Sequence, residues 1–445
     1  MSRRFMLSCP IFMAQREVRF VRLEPPVRAT LFEGGRAFEV AAVGLHPEAV
    51  LVEPPPGLPA GARLEAELSL AGGALRVAAR IEAEAGGRAA LWFEDLDEPA
   101  RARLEAFITR NRKADHIRIC RDEDVSTEGV TAGFERFRLP HEALPEIDKR
   151  AIDLSTCVFG RRLAAPILIS CMTGGSELAK TVNRRLAAVA GRYGLALGLG
   201  SQRAMLKSPE LADTYAVRDL APEVLLIGNV GAVQLNYGLT VEDCERLLRE
   251  VGADALALHL NPLQEAVQPE GDVNFAGLKA RIAALAASLS RPVILKEVGS
   301  GISRGLARWV RGTAIAAVDV AGAGGTNWAK VESHRAQDPL TARLGRSFAG
   351  WGIPTADSLQ ACREELGERP VFASGGIRNG IEAAKAIALG ADLVGIARPF
   401  LEAAARSEEA VEETARLLIE ELRVAMFCCG AADVGALRRT KLERV

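Results

Sequence analysis

The chain lacks a charge bias, a long apolar run and a cysteine framework, and each absence excludes something. Its 56 Lys and Arg nearly balance 57 Asp and Glu, a formal net charge of -1. A nucleic-acid partner is therefore not expected, and any phosphate site must be local rather than a field over the whole surface. No apolar run reaches the ~18 residues of a membrane span. The opening MSRRFMLSCPIFMAQ has an apolar stretch too short for a signal peptide and broken by Pro10, so it is expected to stay uncleaved. The 8 cysteines have no paired spacing, and only Cys428-Cys429 are adjacent. They read as reduced thiols of a cytoplasmic protein, the adjacent pair as packing near a C-terminal helix, rather than disulfides or a zinc site.

What is present is a 445-residue chain with 49% apolar and 25% charged residues, enough for a large core and more than one domain. Its texture changes along the length. Residues 1–108 carry short alternating runs such as ARLEAELSL, LRVAARIEAEA and RAALWFEDL between proline and glycine turns. This predicts a small antiparallel β-domain, closed by a charged helix over 98–108. Residues 109–445 alternate strands with helices, the pattern of a parallel α/β fold. Eight apolar strands are expected at 166–170, 196–200, 224–229, 255–260, 293–298, 317–321, 371–374 and 393–397. Eight strand–helix units fit a closed (β/α)8 TIM barrel better than an open sheet. Thr173, Ser201, Asn229, His259, Lys296, Gly322, Gly375 and Arg398 end these strands, so polar groups and glycines share one rim, as a ligand site there requires.

The segment PVFASGGIRNGIEAAKAIALGADLVGIARPF at 370–400 is the most informative. A strand ends at Gly375-Gly376, Arg378 follows, a helix opens at Asn379, and a second turn stands at Ala397-Arg398. Glycine amides, an arginine and a helix N-terminus make an anion site, most naturally for phosphate. Lys296 at a strand end either pairs with Glu297 or faces a ligand anion. A flavin ring gains negative charge on reduction, so lysine and phosphate site together suggest FMN. Thr173-Gly174-Gly175 would let backbone approach the ring edge. After strand four, His259 and Asn261 leave one face of an extended segment, with Gln264 and Glu265 just past a proline turn. Glu265 is a candidate Mg2+ ligand or a solvated loop charge. Arg112, Lys113 and His116 form either a diphosphate clamp or a basic linker, and Arg203 adds a further cation.

At these residues the chain resembles the type 2, FMN-dependent isopentenyl-diphosphate Δ-isomerases. The matching motifs are RKADH at 112–116, MTGGS at 172–176, GSQR at 200–203, NVG at 229–231, HLNPLQE at 259–265, KEVG at 296–299, AGAGGTNWAKVE at 321–332 and SGGIRNG at 374–380. Asp115 stands where that family commonly has glutamate. The resemblance implies FMN contacts at Met172, Thr173, Gly174, Ser201, Asn229, Lys296, Ala321, Thr326, Gly376, Ile377, Arg378, Ala397 and Arg398. It implies diphosphate or substrate contacts at Arg112, Lys113, His116, Arg203, His259, Asn261 and Gln264, Mg2+ at Glu265, and Trp328 near the isoprenoid tail. Gln264 and His259 are the catalytic candidates. The reaction implied is a 1,3-allylic proton shift between isopentenyl and dimethylallyl diphosphate. NADPH would serve only to reduce the flavin, and a homo-oligomer, tetramer or octamer, is expected.

Two other readings compete, one an enzyme and one not. An FMN-dependent 2-hydroxy-acid oxidase needs a histidine base after about the sixth strand, where this chain reads AGAGGTNW. A non-catalytic flavin-barrel scaffold would not require Gln264, Glu265 and Lys296 together. The first domain resembles a PilZ domain, with Arg16 and Arg19 at its start and LWFEDLDEPARARLEAFI at its end. It lacks that family's arginine pair and Asp-x-Ser loop, so cyclic di-GMP binding is not expected.

Overall fold

The computed structural model describes residues 21–445, apart from 34–35, 54–58, 60, 71–72, 84–87, 269 and 337. The leader-like start, Arg16 and Arg19 lie outside those residues. The chain divides after Ile108 into two compact units.

The first unit is a closed antiparallel barrel in the order β1-β2-β3-β6-β5-β4, formed by β1 (Val21–Glu33), β2 (Arg36–His46), β3 (Ala49–Val52), β4 (Arg63–Leu70), β5 (Gly73–Ala83) and β6 (Ala89–Glu94). The period-2 pattern explains it. Along β4, Leu64, Ala66, Leu68 and Leu70 are buried while Arg63, Glu65 and Ser69 face out. Pro25 and Pro26 fall where the β1–β2 register shifts, between Arg22 and Val27, where a missing N–H breaks no ladder. Leu104, from the start of α1 (Glu98–Asp122), is fully buried in this unit's core.

That helix differs from the expected one. It runs on to Asp122 instead of stopping near Ile108, so RKADH is helical and not a linker. No glycine or proline stands between 100 and 128 to end it.

In the second unit, three short strands, β7 (Phe137–Arg138), β8 (Thr156–Val158) and β9 (Arg161–Leu163), precede a closed parallel barrel. Its strands are β10 (Ile167–Ile169), β11 (Ala196–Gly198), β12 (Leu226–Gly231), β13 (Ala255–Leu260), β14 (Val293–Glu297), β15 (Ala317–Asp319), β16 (Val371–Ser374) and β17 (Leu393–Ile396). They pair in chain order, and β17 returns to β10. All eight expected strands are present. Helices cover the outside, among them α2 (Glu177–Tyr193) and α4 (Val241–Val251), the latter started by a capping box of Thr240 and Asp243. Inside, Leu168, Ile227, Ala257, Ile294, Ala317, Phe372 and Leu393 fill one apolar cluster.

Candidate active site

The site follows from the same alternation. Two residues beyond each interior apolar residue, the inward position turns polar: Ser170, Asn229, His259, Lys296, Asp319 and Ser374. A polar layer thus caps the apolar barrel interior at the carboxyl ends of its strands, where barrel enzymes bind their ligands. Gly198 and Gly395 complete the ring, and a Cβ at Gly395 would meet Ser170 Oγ at 2.6 Å and Ser374 Cβ at 2.7 Å.

His259 Nδ1 donates to Asn229 Oδ1 at 2.7 Å. Burial, then Lys296 and Lys113, push its pKa down to about 3, so the imidazole is neutral and Nε2 is an acceptor. Asn229 is held in turn by fully buried Gln202, whose Oε1 accepts the Asn229 N–H at 2.9 Å. Lys296 meets the backbone of Glu297 rather than its carboxylate. Its Nζ donates to the Glu297 carbonyl at 2.8 Å and lies 3.3 Å from the Asp319 carboxylate. The Glu297 side chain is engaged elsewhere: Oε2 accepts the N–H groups of Val298, Gly299, Ser300 and Gly301. Burial pushes that carboxyl up to about 7, while the Ser300, Gly299 and Val298 N–H groups and Lys296 favour its charge.

A second group hangs on Glu332, whose side chain is fully buried. Its Oε1 meets His116 Nε2 at 3.1 Å and accepts Gln264 Nε2 at 2.9 Å, and its Oε2 pairs with Arg335. Burial works against its charge, but His116 first, then Arg335 and Gln264, hold the carboxyl below the ordinary range. The network continues from Gln264 through Asn261 Nδ2 to Glu265 Oε1, and Glu265 Oε2 accepts the Asp272 N–H. Asn261 Oδ1 is buried with no partner. The strand ends at Leu260, and Pro262 starts the short helix α5 (Pro262–Val267) in place of the expected proline turn. Gln264 and Glu265 therefore stand on a helical turn.

Lys113 and His116 share a face of α1 at i, i+3. Lys113 Nζ donates to the Ser201 carbonyl at 2.9 Å and to Tyr215 Oη at 2.7 Å. The ring of fully buried Tyr215 fills the space left at Gly174, where a Cβ would sit 1.9 Å from it. Gly174 thus has a packing reason within the protein. Trp328 opens α8 (Trp328–Arg335) and stands edge-on to His116, with ring centroids 5.3 Å apart. Arg203 is paired with Asp272. Arg112 lies on α1, and its side chain is outside the described set.

The remaining candidates lie around the loops after β15, β16 and β17. Gly322, Gly324 and Gly325 pack directly on Gly375 and Gly376, where any Cβ would collide with backbone. Ala321 adopts a left-handed φ of 35°, a strained conformation for a non-glycine residue. Ile377 is buried, Thr326 bridges to Ser126, and Ala397 caps α12 (Arg398–Arg406). Met172 packs half-buried on the core, and the Thr173 carbonyl accepts the Gly200 N–H. An open cavity of about 440 Å³ is lined by Arg378 and Arg398 together with Arg121, Ser126 and four carboxylates. Arg398 is held by Glu402 at 2.7 Å and by Ser126 Oγ at 3.2 Å. Arg378, Arg398 and the N-terminus of α12 are groups suited to a phosphate such as that of a flavin, set against the four carboxylates of the same lining, and Lys296 lies within the barrel's polar layer. Among the described residues, no group of three His, Cys, Asp or Glu is placed to hold a metal. No described helix is long and apolar enough to cross a membrane.

The comparisons with known proteins fit this geometry. The chain is 55% identical over 333 residues to the isopentenyl-diphosphate delta-isomerase of Synechococcus sp., across 75% of this chain and 96% of the relative. It is 52% identical to the enzyme of that name from Nostoc sp., across 97% of the relative. The chain belongs to the isopentenyl-diphosphate delta-isomerase family. The profile described as FMN-dependent dehydrogenase matches residues 263–444, which supports FMN as cofactor of this family member. A solved structure of mandelate oxidase with (S)-2-phenylpropionate is similar in fold, with a TM-score of 0.51 and 21% identity over 74% of this chain and 98% of that one.

The sequence reading assigned no role to Glu332, Asp319, Ser374, Tyr215, Gln202 or Ser126. Signals for two of them exist. Glu332 stands four residues after Trp328 on one helical face, and Asp319 interrupts the apolar strand AVDVAG at an inward position.

Proposed function

We propose that this family member interconverts isopentenyl diphosphate and dimethylallyl diphosphate by a 1,3-allylic proton shift, with reduced FMN and Mg2+. The observation that carries the reading is the hydrogen-bonded run from His116 through Glu332 and Gln264 to Asn261 and Glu265. It holds the Gln264 amide beside an oxygen-rich turn in a chain this similar to proteins of that name.

When bound, FMN in its reduced form supplies acid–base chemistry and electron density that side chains lack for an unactivated alkene. Arg378, Arg398 and the glycine backbones would hold its phosphate, and Lys296 would face the edge of its ring. The protein does the rest. Lys113, His116 and the Arg112 beside them hold the diphosphate, and Arg203 adds charge at the same rim. Mg2+ would bind Glu265 and substrate oxygens, which suits an ion that keeps few protein ligands. The partnerless Asn261 Oδ1 is an oxygen donor in the same turn. Gln264, fixed by Glu332, orients the alkene or relays a proton, and neutral His259 offers Nε2 as an acceptor. Trp328 closes the apolar side. Positioning the small alkene against these groups is the main use of diphosphate binding energy. NADPH acts only as reductant, in a cytoplasmic homo-oligomer. The first unit is read as a PilZ-like domain without its nucleotide-binding residues.

Absorbance of the purified chain tests the cofactor, and a flavin spectrum is expected. Oxygen consumption with lactate or glycolate tests the oxidase alternative. None is expected, because residues 320–327 after β15 contain no histidine. A colourless protein that takes up no FMN, or rapid oxygen uptake with a hydroxy acid, would overturn the proposal.

A further inference from the structure

The polar layer contains an acid that the proposed chemistry does not use. Asp319 is 1% exposed and touches neither the Glu332 network nor the diphosphate residues. It is the register partner of Lys296 on the neighbouring parallel strand, so both side chains leave the same inner face. Its Oδ2 lies 3.3 Å from Lys296 Nζ, and its Oδ1 accepts Ser374 Oγ at 2.5 Å from the next strand. A carboxylate buried this deeply is retained only when it is paired and hydrogen-bonded. Lysine is a point charge on a flexible four-carbon stem. Here the Glu297 carbonyl accepts one of its three ammonium hydrogens, and the Asp319 carboxylate forms an ion pair with it.

We propose that Asp319 is a positioning residue for Lys296: it fixes the ammonium in the polar layer and offsets its charge, and Ser374 fixes Asp319 in turn. This rests on the FMN reading given above. A flavin gains negative charge at N1 and O2 when reduced, and a nearby cation favours that form. A lysine paired with Asp319 favours it less than an unpaired lysine would. The pair therefore sets the balance between oxidised and reduced cofactor as well as the direction in which the lysine points.

The test uses the full FMN-loaded chain and two variants, Asp319→Asn and Ser374→Ala, and reads the FMN midpoint potential. Asp319→Asn is expected to raise the preference for reduced over oxidised FMN about tenfold or more. For a two-electron couple each tenfold is a positive shift of about 30 mV. Ser374→Ala keeps the carboxylate but removes the hydroxyl that holds it, and should shift the potential by less. A role confined to packing would leave the potential of a folded, FMN-bound variant unmoved. If Asp319→Asn does not fold or hold FMN, Ser374→Ala decides alone, and a preference unchanged within twofold overturns the inference. A wild-type chain that takes up no FMN overturns the flavin reading and this inference with it. Bound FMN with an unmoved potential overturns this inference alone.

Discussion

The two barrels of this chain solve the same closure problem with opposite interiors. The first is filled by aliphatic side chains to its ends, and its charges pair on the outside, as in Arg80 with Glu94. The second is apolar only in its lower part. Every buried polar or charged residue among those described lies at Ser170 or beyond. Burying such groups costs stability unless each finds a partner. A barrel that carries a whole layer of them gives up stability for chemistry, and one with no buried polar or charged residue among those described is free to be a packing module. Function is therefore read from where polar groups are buried rather than from barrel closure, which both halves share.

Removing the charge of Glu332 should break that contrast most sharply. Glu332→Gln leaves Arg335 beside an uncharged partner and loosens His116 and Gln264. A loss of about 3–5 kcal/mol in unfolding free energy is expected from chemical denaturation. Turnover should fall with it, on the order of a hundredfold or more. A variant as stable as the wild type would show that the buried network is slack.

Gln264→Ala is next. It should cut turnover about a hundredfold while FMN stays bound and the melting temperature barely moves. Glu265→Gln should instead raise the Mg2+ concentration needed for half-maximal rate. Near-wild-type kinetics in both would make the turn at 262–267 merely structural.

The pH dependence follows from His259. Its folded pKa is depressed to about 3, so the unfolded chain binds a proton that the folded chain refuses. Stability from this residue is complete above about 6.5 and is lost as pH falls toward 3. His259→Gln should flatten the stability curve across that window, as read from denaturation midpoints at several pH values. An unchanged slope would place the acid sensitivity elsewhere. Glu332 adds a second loss at lower pH, below about 4.5, because its carboxyl is also depressed.

The first barrel should matter least. A chain beginning at Asp95 keeps α1 whole and should still bind FMN and isomerise, within severalfold of the full chain. One beginning at Phe107 cuts that helix before the Lys113 clamp and should lose diphosphate affinity. Calorimetry with cyclic di-GMP should show no tight binding to the full chain. Arg80→Ala should move stability by less than about 1 kcal/mol, since its pair with Glu94 is partly exposed.

The alternation of strand and helix was legible because buried parallel strands read as short apolar runs bounded by glycine. The rim residues were legible because each ends such a run. The extent of α1 was not, since its polar second half looks like a linker until packing is known: Ile117 and Cys120 are buried there, but only tertiary contacts show it. The partners of Lys296 were not legible either. Asp319 lies 23 positions away and meets it only through strand register, which no local pattern encodes.

The most direct measurement follows isopentenyl diphosphate by proton NMR, with the full chain, Mg2+ and chemically reduced FMN under anaerobic conditions. The account predicts steady conversion to dimethylallyl diphosphate, with none when the FMN is left oxidised. An unchanged substrate spectrum with reduced FMN demonstrably bound would contradict it.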